Sequence, residues 1–184
     1  MLSEKKTLVL LIGTNPLPNY VVAMNYLSGN SDYTDELICI YSDAQQKQSS
    51  TKQYADKLTE VLSAELKRPI SFVPIGLENI SSRELIQNSL EKHYSNSLIA
   101  KNMHLNYTGG TKTMAVHVYN YFYEKFNEIE FSYLDARDNI LHWHKKNTIK
   151  DEISLPDISN KFNISLKNLL SIHNHRFFNK FDEN

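Results

Sequence analysis

Between Thr7 and Ile12 the chain reads Thr-Leu-Val-Leu-Leu-Ile with no polar interruption, and it stops at Gly13. A strand with one wet face alternates apolar and polar residues. An unbroken run needs cover on both faces, as strands of a parallel sheet have. The Leu8–Ile12 stretch is also too short to cross a membrane. The next residues, Gly13-Thr14-Asn15-Pro16-Leu17-Pro18-Asn19, make a stiff loop. Pro18 or Asn19 then opens a helix that carries Val21, Met24 and Leu27 and ends near Gly29.

This strand–loop–helix unit recurs. Glu36 to Tyr41 forms a second strand ending at Ser42-Asp43, and the polar loop Ala44–Ser49 leads to a helix. Ser50 and Gln53 pair as a capping box at its start, and Tyr54, Leu58, Val61, Leu62 and Leu66 form its buried stripe. Pro69 to Pro74 is a third strand, turning at Ile75-Gly76. Ser81 and Glu84 cap a third helix that carries Leu85, Ile86 and Leu90. A linker, Ser95 to Asn102, reaches the fourth strand at Met103–Leu105.

The fourth unit holds the most chemistry: Asn106-Tyr107-Thr108-Gly109-Gly110-Thr111-Lys112-Thr113. Two glycines break regular structure, and Met114, Val118, Phe122 and Phe126 then recur every four residues on a helical stripe. A turn that opens a helix presents unpaired N–H groups and the positive end of the helix dipole. Adjacent glycines let the backbone approach a ligand closely. Lys112 adds a full charge, and Asn106, Thr108, Thr111 and Thr113 add short polar groups. The set suits an anion, most naturally a phosphate; the plain alternative is a turn that only connects two elements. No Walker A spacing and no G-x-G-x-x-G is present. Thr14 and Asn15, at the carboxyl end of the first strand, are a second set of ligand contacts, because ligands of open α/β sheets bind along that edge; their alternative is a Pro-stiffened capping turn.

Ile129 to Leu134 is a fifth strand, Asp135–Asn139 a hairpin turn, and Ile140 to Lys145 a sixth strand. The expected fold is an α/β, Rossmann-like, mostly parallel sheet with helices on both faces and a C-terminal antiparallel hairpin. Residues 1–146 would form the ligand-sensing domain and 147–184 a connector or dimer-docking tail. In the tail Ile153, Leu155 and Ile158 alternate loosely. Leu166, Leu169 and Leu170 share one side of a short helix over Ser165–His173, and Phe177, Phe178 and Phe181 follow.

The 184 residues carry a formal net charge of −1, so the basic surface that duplex nucleic acid selects is absent. A single cysteine, Cys39, excludes an intrachain disulfide, fits a reducing, cytoplasmic compartment, and lies in an apolar run that favours an inert thiol. His142 and His144 share one face of a strand with no third ligand nearby, which reads as hairpin surface. His173-Asn174-His175 is too short a segment for a ββα-metal nuclease unit.

Gly13-Thr14-Asn15-Pro16 together with the Asn106–Met114 segment resembles the CARF domain, the CRISPR-associated Rossmann fold. The N-x-T-G-G-T-K-x-M form is similar to the branch that carries restriction-type nuclease effectors. The resemblance covers roughly residues 5–146 and implies a sensor of cyclic oligoadenylates made by type III CRISPR complexes, usually cyclic tetra-adenylate in this branch. It implies a homodimer with the ring across its two-fold axis, and neither cofactor nor metal. Thr108, Gly109, Gly110, Thr111 and Lys112 would take phosphate or ribose, joined by Asn106. Gly13, Thr14 and Asn15 would line the pocket floor, and Ser42, Asp43 and Gly76 would be further contacts to adenine.

The chain departs from multidomain relatives in lacking both a P-D…E-x-K core and an R-x4–6-H motif, so an effector domain or partner protein is expected outside this sequence. The alternative activity is a metal-independent ring nuclease, in which a ribose 2′-OH attacks the adjacent phosphate and breaks its link to the next nucleotide, leaving linear products with 2′,3′-cyclic phosphate ends. Lys112 would then stabilise charge, and Thr14, Asn15 or Thr108 would position the reacting groups. With no histidine in these loops, turnover would be slow.

Overall fold

The structure, a computed structural model, describes residues 5–28, 33–43, 50–94, 102–148, 151–154 and 164–175. The loop 44–49, most of the linker 95–102, and Leu155, Ile158, Phe177, Phe178 and Phe181 lie outside these residues. In chain order the elements are β1 (Lys6–Ile12), α1 (Leu17–Leu27), β2 (Tyr33–Ser42), α2 (Lys52–Leu66), β3 (Ser71–Leu77) and α3 (Arg83–Tyr94). They continue with β4 (Met103–Asn106), α4 (Lys112–Lys125), β5 (Ile129–Asp135), β6 (Ile140–Lys145), β7 (Asp151–Ser154) and α5 (Leu166–Ile172).

One seven-stranded sheet runs β3-β2-β1-β4-β5-β6-β7. β3 through β5 are parallel, and β6 and β7 are antiparallel to their neighbours. β1 is buried on both faces, as its unbroken apolar run requires. Leu8, Leu10 and Ile12 face the layer of α1 and α2, while Val9 and Leu11 face that of α3 and α4. The first crossovers lead outward from β1 to β3, and the chain then returns to the other side of β1 to place β4. The strand order therefore reverses between β1 and β4, and a crevice opens at their carboxyl ends.

Several local expectations shift. β3 extends through Pro74 and Gly76 to Leu77 instead of turning at Ile75. It is an edge strand, where a residue without an N–H is tolerated. The Ser50–Gln53 capping box does not form; Thr51 is the N-cap position of α2 and its hydroxyl bonds elsewhere. α3 begins one residue later than its expected cap, with Ser82 Oγ accepting the Leu85 N–H at 3.4 Å. Leu85 of the third helix and Leu166 of the short tail helix are exposed. The stripe of α4 holds, since Met114, Val118, Phe122 and Phe126 are all buried.

β7 was not expected as a strand; it pairs with β6 from Ile140↔Ser154 to Trp143↔Asp151. α5 docks on α2. Ile172 enters the core, Asn168 Nδ2 donates to Glu65 Oε1 at 2.7 Å, and Asn174 Nδ2 donates to Gln53 Oε1 at 2.9 Å. Cys39 is fully buried, and burial pushes its thiol up, which keeps it unreactive. His144 stacks on Phe131 and shares a hydrogen bond with the Tyr119 hydroxyl at 3.1 Å. Among the described residues no helix is long and apolar enough to cross a membrane.

Beneath α1 the core turns polar. His104 is fully buried between the Tyr33 hydroxyl and Ser132 Oγ. Burial pushes its imidazole down to about 3, so it is neutral in the folded protein. Acid should therefore destabilise the fold. Below about pH 6.5 the unfolded chain binds a proton that the native imidazole refuses, at up to about 1.4 kcal/mol per pH unit until the native group itself titrates. Glu130 acts in the same sense. Burial alone would raise its carboxyl, but the hydrogen bond and charge of Lys6, 2.7 Å away, hold it below its ordinary value. Its contribution is present above the unfolded carboxylate range and is lost as the pH falls through the lowered one. Urea unfolding across pH 7.5 to 4.5 should show falling stability, with a shallower decline above pH 5 in His104→Asn. An unchanged slope in that variant would remove His104 as the cause.

Candidate functional site

The crevice between β1 and β4 is formed by two loops in contact. After β1 come Gly13, Thr14 and Asn15; after β4 come Tyr107 through Thr111. A Cβ on Gly13 would lie 3.0 Å from the Gly110 nitrogen, so the two loops touch backbone to backbone. Thr14 and Asn15 are exposed, and Asn15 Oδ1 accepts the Leu17 N–H at 3.3 Å, closing the turn that starts α1.

The two adjacent glycines also do a job that the sequence did not show. A Cβ on Gly109 would sit 1.9 Å from the Leu11 carbonyl oxygen and 2.9 Å from Asn19 Oδ1. Gly110 has φ +76°, a left-handed conformation, and its Cβ would meet Met114 Sδ at 2.9 Å. Both missing side chains thus point into the protein. They let the loop press against the end of β1 and the first turn of α4, and the loop's other surface is turned outward.

The polar residues of this loop are largely engaged in holding it. Asn106, expected as a ligand contact, is fully buried. Its Nδ2 donates to Ser132 Oγ at 2.9 Å and to the Ser132 carbonyl at 3.2 Å, and its Oδ1 accepts the Thr108 N–H at 3.2 Å. Thr108 Oγ1 accepts the Leu134 N–H at 2.8 Å, tying the loop to β5. Thr111 is the N-cap of α4, its Oγ1 accepting the Met114 N–H at 3.2 Å. The Lys112 and Thr113 N–H groups have no intrahelical acceptor and lie at the positive end of the helix dipole. Lys112 is exposed at the first position of α4.

Two cavities meet along Gly110 and Thr111. The smaller, about 290 Å³, is lined by Gly13, Thr14, Ser42, Thr51, Gly110 and Thr111 over an apolar base of Ile12, Ile80 and Met114. The larger, about 610 Å³, lies on the β5 side; Thr108 to Lys112 form its polar wall, and Tyr107, Val116, Tyr119 and Tyr133 its apolar one. Ser42 is therefore at the cleft as expected. Asp43 and Gly76 instead pack on each other: a Gly76 Cβ would lie 3.0 Å from the Asp43 Cβ, and neither lines either cavity.

Thr51 was missed. Its hydroxyl donates to the Ile12 carbonyl at 3.0 Å and meets Ser42 Oγ at 3.2 Å, joining the start of α2 to the ends of β1 and β2. A Thr directly before a helical stripe was the available signal, but Ser50 took the capping role in that reading. The aromatic wall was also missed. Tyr107 and Tyr133 stack with centroids 5.7 Å apart, and Tyr107 meets Tyr119 edge-on at 5.3 Å. These rings come from three elements, so no local pattern announces them.

The fold has solved counterparts. Can2 from Sulfobacillus thermosulfidooxidans, determined in complex with cyclic tetra-adenylate, matches with a TM-score of 0.62 at 16% identity, covering 91% of this chain and 40% of that one. Protein VC1899 from Vibrio cholerae matches with a TM-score of 0.67 at 14% identity, covering 91% of this chain and 39% of that one. A type III CRISPR defence DNA nuclease activated by cyclic oligoadenylate matches with a TM-score of 0.52 at 14% identity, covering 91% and 23%. The chain thus spans less than half the length of each. At such identities the likeness shows a common Rossmann-like fold. No curated protein matches the sequence. The sequence does match the family described as Card1 CARF domain over residues 7–168, nearly the whole of the sheet and its helices. Loop chemistry, strand order and family match agree: this chain belongs to the Card1 CARF domain family.

Proposed function

We propose that this chain is a cyclic oligoadenylate sensor of type III CRISPR defence that binds one ring, most favourably cyclic tetra-adenylate, across a homodimer. The observation that carries the reading is the contact of the Gly13 and Gly110 loops at the β1/β4 switch point, with the free N–H groups of α4 and Lys112 beside it. Can2, a structural counterpart, was solved with cyclic tetra-adenylate, and the nuclease counterpart is activated by cyclic oligoadenylate. A ring of like units offers its phosphates in symmetric pairs, and a two-fold dimer supplies each anion contact twice from one set of residues. Exposed Val116 on α4 and Tyr133 on β5 flank Lys112 and give a second copy an apolar footing.

In this reading Thr108 to Lys112 take phosphate and ribose, Gly13, Thr14 and Ser42 line the floor with Thr51, and Asn15, which lines neither cavity, stands exposed beside them at the turn into α1. Asn106 acts from beneath. The sensing unit is the sheet with its helices, to which β7 and α5 of the expected connector add a strand and a core residue, and the chain beyond α5 leads on to an effector domain or partner. Among the described residues, those lining the cleft include hydroxyls but no histidine, which favours binding over fast turnover.

Calorimetric titration with cyclic tri-, tetra- and hexa-adenylate, followed by chromatography of each sample, tests this. The expected result is tight binding of one tetra-adenylate ring per two chains, with the ring recovered intact. Linear products ending in 2′,3′-cyclic phosphate would make the chain a ring nuclease, with Lys112 steadying the phosphorane and Thr14 and Asn15 holding the ribose. Failure to bind any ring would sink the sensor reading.

A further inference from the structure

Three polar side chains on β4 and β5 are fully buried where apolar ones would pack without needing partners: His104, Asn106 and Ser132. A buried polar network that is only partly satisfied is worse than an apolar core, so its members need a reason to be there. Followed link by link, these residues form one chain. The Tyr33 hydroxyl and His104 Nδ1 are 2.6 Å apart, and His104 Nε2 and Ser132 Oγ are 2.7 Å apart. Asn106 Nδ2 donates to Ser132 Oγ at 2.9 Å, and Asn106 Oδ1 accepts the Thr108 N–H at 3.2 Å. Tyr26 of α1 closes over the imidazole edge-on at 4.5 Å.

The chain ends at the loop of the candidate site. Thr108 is followed directly by the two glycines, and the same stretch is tied to β5 by the Tyr107 N–H donating to the Ser132 carbonyl at 3.0 Å. The Asn106 amide has one useful orientation here. Its nitrogen must face Ser132 for its oxygen to face the Thr108 N–H. The Ser132 carbonyl and the Thr108 N–H select that orientation, Ser132 Oγ gives the Asn106 nitrogen a second and shorter acceptor, and His104, itself fixed by Tyr33, holds Ser132. The imidazole is neutral, pushed down to about 3 by burial, so in either tautomer one nitrogen donates while the other accepts.

We propose that Tyr33, His104 and Ser132 are positioning residues: acting through Asn106, they hold the Thr108–Gly110 backbone in the one form that receives the ring's phosphate. The inference rests on the sensor reading above. Its physical content is preorganisation, since N–H groups already aimed at an anion need not be ordered when it binds.

Ser132→Ala and Tyr33→Phe each remove one hydroxyl, from different links of the chain. Leu62→Ala, a truncation in the core beneath α2, serves as the control for lost stability alone. Each protein is measured for thermal midpoint, for amide exchange at Thr108 and Gly110 without ligand, and for cyclic tetra-adenylate affinity. Both hydroxyl variants should speed Thr108 exchange beyond the control and raise Kd by about tenfold, the scale of one lost hydrogen bond. Ser132→Thr, which retains the Oγ, should restore both. Tyr33→Phe keeps the test decisive should Ser132→Ala not fold. A lowered midpoint with Thr108 exchange and Kd no different from the control would overturn the proposal. If the unaltered protein binds no ring, the sensor reading falls by itself, and the exchange rates alone decide whether the chain holds the loop.

Discussion

Lys112→Ala should weaken cyclic tetra-adenylate binding by about 3–6 kcal/mol, roughly two to four powers of ten in Kd. A charge-assisted contact to phosphate contributes about 1.5–3 kcal/mol, and a two-fold dimer loses two of them at once. Lys112 stands exposed at the first position of α4, lining the larger cavity, so its removal should leave the thermal midpoint nearly unchanged. Lys112→Arg keeps the charge and should recover part of the affinity. Titration at low and high ionic strength supplies the second signature: binding by the unaltered protein weakens with salt, and the dependence becomes shallower in the alanine variant. Equal affinity in the two proteins would move the phosphate contact away from this residue.

Gly109→Ala should cost more than about 3 kcal/mol of folding free energy and abolish ring binding as well. The added Cβ would stand 1.9 Å from a β1 carbonyl oxygen, which is backbone at the centre of the sheet and cannot swing aside. For a chain of this size that loss lowers the thermal midpoint by about 6–12 °C. Gly110→Ala should be milder. Its φ of +76° penalises a Cβ by about 1–2 kcal/mol, but the atom it meets is the flexible Met114 thioether. Thermal unfolding of the pair gives the ranking. A midpoint for Gly109→Ala close to that of the unaltered protein would mean that the loop does not lie on β1 as described.

The two variants also show where the sequence was legible and where it was not. Gly109 and Gly110 were visible as a break between strand and helix, because glycine is a local signal. The direction in which their absent side chains point depends on β1, nearly a hundred residues away in the chain. The same holds for the hydroxyls: Thr111 caps its own helix, a relation spanning three residues, whereas Thr51 bonds to Ile12 and Thr108 to Leu134. β1 read correctly because five consecutive apolar residues, Leu8 to Ile12, leave no other placement. β3 read short because Pro74 and Gly76 look like a turn until the strand is known to be an edge. Asn106 looked like a ligand contact because polarity in a loop motif shows in the letters, while burial does not. Asp43 and Gly76 were placed at the site by resemblance, and in the structure their mutual packing keeps them off the cavity walls.

The docking of α5 on α2 sets the course of the last described stretch of chain. Asn168 bonds near the end of α2, at Glu65, and Asn174 near its beginning, at Gln53. The last described stretch of chain therefore runs back along α2 from Glu65 toward Gln53, two residues after Thr51 of the cleft wall. Thr51, bonded to Ile12 and Ser42 in the cleft wall, and Gln53, bonded to Asn174, thus stand two residues apart at the start of one helix.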